Sequence, residues 1–184
     1  MKAVLLVLIL VVLFGPCFAA VADPEGAKPT KKAGERAAKL KAAAKFFRLD
    51  LHFHGEQDKP YYGLTLSVPL VPQLAIDPFH PVVQITEEEA VKFIDHLTVD
   101  GFLDQAKDKA PGEPPAGPCY TLRVRATSKT EAVEYFENLG WNAPMLKRLD
   151  GIKAILHGNA AKAMDFLLGR LEGHRKEWDK GGTR

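Results

Sequence analysis

The stretch Asp50-Leu51-His52-Phe53-His54-Gly55-Glu56-Gln57-Asp58 sets two imidazoles one residue apart beside carboxylates, residue types that bind transition metals. Alternate residues of a β-strand project from one face, so on a strand His52 and His54 would reach a single ion together. Asp77 and His80 are the further ligands that the chain offers, with Glu56 and Asp58 closer in sequence, and zinc or another transition metal is the ion such a set would take. A site needs three or four ligands at fixed geometry, and the chain has no His-Glu-x-x-His run, cysteine pair or acid-rich calcium loop to complete one. The same histidines are explained without a metal, because Leu49, Leu51 and Phe53 alternate with Asp50, His52 and His54 as in a strand with one apolar and one polar face. The sequence favours this second reading and calls for no cofactor.

Arg123 and Arg125 pose the same question with opposite charge. In Cys119-Tyr120-Thr121-Leu122-Arg123-Val124-Arg125-Ala126 they alternate with apolar residues and so share a polar strand face. If that strand neighbours the His52 strand, Asp50 can pair with the arginines across the sheet. Otherwise His52, His54, Arg123 and Arg125 form an open face that receives an anion or an acidic partner, and these four are the candidate binding residues.

Signals for catalysis are weak. No Gly-x-Ser-x-Gly elbow is present, and Ser67 and Ser128 read as a strand residue and a helix cap. Glycines fall at turns and helix stops rather than in a phosphate-binding loop, and Thr86-Glu87-Glu88-Glu89 is a helix N-terminus complementing its own dipole. Near the C-terminus Arg170, His174, Arg175 and Lys176 accompany Trp178, but Glu172 and Glu177 interleave and the net charge is only +2, which argues against nucleic acid. A non-catalytic domain that binds a protein or an envelope component is the expectation, with the Pro-rich stretch at 69–81 as a further surface, and a metal-binding protein or metal-dependent hydrolase using His52 and His54 is the alternative.

The elements that must position these residues follow from periodicity. Arg48–Gly55 and Tyr61–Pro69 read as an antiparallel hairpin, and Cys119–Ala126 as a third strand. The capping pairs Thr86/Glu89 and Ser128/Glu131 open predicted helices that stop near Gly101 and Gly140. Met145, Leu149, Ile152 and Leu156, then Ala160, Met164, Leu167, Leu171, His174 and Trp178, mark two further helices joined at Gly158, an antiparallel helical hairpin. The expected class is α+β, a small, mainly antiparallel three-stranded sheet packed on one face by helices. The Pro- and Gly-rich run 107–118 is expected to hang free of the body.

Residues 1–22 have the form of a secretory signal peptide, with Lys2, an uncharged run Ala3–Phe14, the Gly15-Pro16 break and Ala20-Val21-Ala22 before Asp23. An exported chain, periplasmic or secreted, is expected, with a retained N-terminal anchor as the lesser alternative. Cleavage would remove Cys17 and leave Cys119 alone, read as a small buried hydrophobe. Residues 23–34 read as a flexible basic linker, 35–178 as one domain beginning with an Ala/Lys-rich helix at 35–47, and 179–184 as a frayed tail. From Asp23 to Arg48 there are 8 Lys/Arg against 3 Asp/Glu. Lys31, Lys32, Lys39, Lys41 and Lys45 could therefore meet an anionic membrane surface, although few bulky apolar residues are there to insert.

Overall fold

Phe47, Leu49, Leu51 and Phe53 send their side chains to one face of strand β1 (Phe47–His54), and this face organises the core. The computed structural model describes residues 28–55, 62–69, 83–110, 112, 117–140 and 143–181. In it β1 lies between β2 (Tyr62–Ser67) and β4 (Cys119–Thr127), antiparallel to both. The short β3 (Val83–Gln84) joins β2 in parallel and β5 (Ala132–Gly140) joins β4 antiparallel, so the sheet is mixed and five-stranded, in the order β3-β2-β1-β4-β5. Leu49 stands opposite Leu66 and Val124, Leu51 opposite Leu64 and Leu122, and Phe53 opposite Tyr62 and Tyr120. All of these are buried. Each such aliphatic side chain contributes on the order of 2 kcal/mol by leaving water.

Helices α1 (Lys31–Ala42), α2 (Glu87–Val99), α3 (Phe102–Gln105), α4 (Ala143–Ile155) and α5 (Gly158–Gly181) complete the α+β fold. One hydrophobic cluster runs from Ala33 on α1 through the sheet to Leu171 on α5. The capping box at Thr86 and Glu89 is formed as expected, and Gly101, at φ 85°, makes the left-handed turn between α2 and α3. The stripes Met145, Leu149, Ile152, Leu156 and Ala160, Met164, Leu167, Leu171 are buried where α4 and α5 pack. His174 Nε2 meets Tyr62 Oη at 3.1 Å and ties α5 to β2.

Five expectations need correction. The predicted helix from Ser128 to Gly140 is strand β5. Ser128 does accept from Glu131 N, at 3.0 Å, but Ser128 N donates to Glu131 O at 2.7 Å, which closes a β4–β5 turn instead of opening a helix. Val133, Phe136 and Leu139 fit helical spacing, yet Val133, Tyr135 and Glu137 at spacing two face the core, and β-branched and aromatic residues beside an available strand edge decide the outcome. The expected three strands therefore become five, with β3 contributing the parallel pair. The first helix begins at Lys31, where Thr30 Oγ1 accepts from Ala33 N at 3.2 Å, and it ends at Ala42, because Phe47 is needed by β1. Finally, the start of the 107–118 loop is fastened: Lys107 and Phe136 exchange backbone hydrogen bonds of 2.7 and 2.8 Å. At the far end, α5 continues to Gly181, past the expected boundary at 178.

Helix α4 approaches α2 closely at Gly151, where an added Cβ would lie 2.1 Å from His96 Cε1. Alanine should gain about 1 kcal/mol of helix propensity over glycine, but overpacking costs about 1–3 kcal/mol. Gly151→Ala is therefore expected to cost a net 0 to ~2 kcal/mol of stability, read from the denaturation midpoint. His96→Ala in the same chain should recover part of the loss.

Candidate functional site

The face of the sheet opposite the helices carries His52, His54, Arg123 and Arg125, the four residues that the sequence grouped as a binding face. Arg48, Asp50, His52 and His54 come from β1, Thr65 and Ser67 from β2, Thr121, Arg123 and Arg125 from β4, and Glu134, Phe136 and Asn138 from β5. Register places Arg48 opposite Arg125, Asp50 opposite Arg123, and His52 opposite Thr121.

The expected pairing of Asp50 with the β4 arginines is not what forms. Asp50, only 4 % exposed, accepts from Arg48 Nε at 2.7 and 2.9 Å and from Thr65 Oγ1 at 2.8 Å. Arg123 turns the other way and pairs with Glu134 of β5, its guanidinium 5.6 Å from the Phe136 ring centroid. Both carboxylates are thus committed to neighbours along or across the strands. Arg125 has no ion pair or hydrogen bond to another side chain among the described residues.

His54 Nε2 lies 3.1 Å from Thr121 Oγ1. Burial holds the His54 pKa below its ordinary 6.5. For His52 burial is again the main cause; Asp50 opposes it, while His54, Arg48 and Arg123 add to the lowering. The unfolded chain therefore binds protons near the ordinary value before the folded chain does, and stability should fall as pH drops through about 6.5 towards the lowered folded values. Denaturation midpoints at pH 7.5 and 5.5 should show this loss, and His52→Gln should flatten the difference.

As a metal centre, the described part of the set holds His52 and His54 alone. Among the described residues no group of three or more His, Cys, Asp or Glu side chains is placed to hold an ion. Asp77 and His80, like Glu56, Asp58 and residues 70–82 of the Pro-rich stretch, lie outside the described residues. Cys119 is buried on β4, and burial pushes its thiol pKa up, against nucleophilic use.

Described residues line two hollows on this face. The smaller, about 240 Å³, has His52, Thr121, Arg123 and Asn138 around it and Ala110 and Gly112 at its rim. The larger, about 380 Å³, sits at the end of β1 and β4 with Arg48, Arg125 and Lys129 about an apolar wall that includes Phe46 and Val68. Phe46 is 40 % exposed, unusual for a phenylalanine. Arg48 and Lys129 were missed in the sequence. Arg48 was findable, two residues before Asp50 on the same strand face; Lys129 was hidden by reading its turn as a helix start.

No protein family, curated protein or solved structure gives a significant match to the chain. No described helix is long and apolar enough to cross a membrane. Of the lysines considered for an anionic surface, Lys41 pairs with Asp95 at 2.5 Å, Lys31 with Glu35 at 3.8 Å, and Lys32 donates to the Asp104 carbonyl at 3.1 Å.

Proposed function

We propose that this chain is an exported, non-catalytic binding domain that engages an acidic protein or envelope component through the outer face of its sheet. The observation that carries the reading is Arg125, a half-buried residue with no carboxylate partner among the described residues, set beside Arg48 and Lys129 at the larger hollow. A cation on a half-buried residue is stabilised by an anion, and the carboxylates on the same face of the adjoining strands, Asp50 of β1 and Glu134 of β5, are already engaged. The apolar wall beside these cations adds contact area of the kind that interfaces use.

Capture from an envelope fraction by the C-terminally tagged chain tests the reading. Arg125→Glu is expected to abolish capture, and Lys162→Glu on the exposed side of α5 to leave it intact. The same proteins retained by both variants, or catalytic turnover in an unbiased substrate screen, would overturn it. Export predicts a mature N-terminus at Asp23, read by intact mass.

A further inference from the structure

We infer that the larger hollow is a carboxylate site, built to take one carboxylate carried on a compact apolar body. This rests on the outer-face reading above and names the chemistry that the face would recognise.

The choice of anion follows from the surroundings. Arg125 is the one guanidinium in the hollow without a partner among the described residues, and a planar fork of N–H donors matches the two oxygens of a carboxylate. Arg48 shares the hollow, but its Nε is given to Asp50. The Asp50 charge therefore lies behind Arg48 and opposes a dianion more than a monoanion. A phosphate site would normally add a nest of backbone N–H groups or a glycine-rich loop, and the lining here is strand and turn with Ser67 and Ser128 hydroxyls. Phe46 and Val68 provide an apolar wall that would leave a small hydrophilic anion without contacts on that side. At about 380 Å³ the space admits a single apolar side chain together with its acid group.

That chemistry has two sources, the C-terminal carboxylate of a partner chain with an apolar last residue, or a free short-chain acid. Acetylated Ala-Ala-Leu as the free acid and as the amide, isocaproate, and inorganic phosphate are the probes, titrated into the full chain and followed by backbone amide shifts. The acid should bind with shifts at Phe46, Val68 and Ser128, and the amide should bind at least about tenfold more weakly. Arg125→Gln should weaken the acid by about tenfold or more while leaving the spectrum dispersed and the denaturation midpoint unchanged. Thr127→Glu, which places a carboxylate on the same strand face as Arg125, should block the site without removing the arginine. A peptide acid much tighter than isocaproate identifies a chain terminus as the source, and equal affinities identify the free acid.

Equal binding of acid and amide, an acid affinity indifferent to Arg125→Gln, or phosphate binding more tightly than either carboxylate would overturn the inference. If envelope capture still depends on Arg125 while neither carboxylate binds, the carboxylate assignment fails alone. If Arg125→Glu leaves capture untouched, the broader reading fails with it.

Discussion

Arg148→Met should destabilise the protein by about 3–5 kcal/mol, the usual cost of stripping one partner from a buried ion pair. Arg148, on α4, is 9 % exposed and bridges three elements. Its Nε donates to Asp100 Oδ2 at 2.5 Å at the end of α2, and its Nη1 donates to Tyr120 Oη at 2.9 Å and to Glu137 Oε2. Tyr120 Oη in turn donates to Glu137 Oε2 at 3.1 Å. Asp100 has a second task, accepting from Phe102 N at 2.8 Å where α3 begins. Removing the guanidinium leaves Glu137, 5 % exposed, as a buried carboxylate whose other oxygen already has no partner among the described residues. Neutralising that carboxylate as well separates the two costs. Arg148→Met with Glu137→Leu should recover most of the loss, because apolar groups of similar volume often replace a buried pair at little cost. Urea denaturation with an unchanged slope is the measurement, and near-additive single losses would show that the two residues do not act as a pair.

Arg36→Ala should cost about 2–4 kcal/mol through a different route, the loss of carbonyl partners. Arg36, on α1, is 6 % exposed. Its Nη1 donates at 2.8 Å to both Leu103 O and Ala106 O, its Nη2 meets Asp108 Oδ1 at 2.6 Å, and the guanidinium lies 4.8 Å from the Tyr135 ring centroid. One planar group thus ties α1 to the end of α3, to the following loop and to β5. Arg36→Lys should rescue little, since an ammonium on a flexible stem cannot hold this set of acceptors at once. Hydrogen exchange should localise the change, with the Lys107 and Phe136 amides losing protection first, and uniform loss across the sheet would contradict this account.

Both arginines show what the sequence discloses and what it hides. Arg36 falls on the stripe Ala33, Arg36, Ala37, Leu40, so its burial was readable as a charge on an apolar helix face. Its partners were not, because Leu103, Ala106 and Asp108 are distant in sequence and meet α1 only after the sheet has formed. Glu137 illustrates the opposite difficulty. A carboxylate on the inner face of β5 breaks the alternation that would have announced a strand, and the partner that permits it, Arg148, lies on a later helix. The β1–β2 hairpin, the Cys119 strand and the α4 and α5 stripes were legible because their period repeats without such exceptions. On the outer face the alternation correctly grouped His52, His54, Arg123 and Arg125, but pairing is a tertiary property. Asp50 could choose Arg48 on its own strand only because Thr65 supplied a further donor from β2.

The backbone bridge between Lys107 and Phe136 has a consequence for behaviour at high concentration. A mixed sheet ends in two edges where another copy could add a strand. Here β3 offers two residues, and β5 is occupied at its midpoint by the chain's own loop. The bridge therefore acts as a plug against fibrillar growth by sheet extension. Loosening it through Arg36 would turn a loss of stability into a loss of colloidal control.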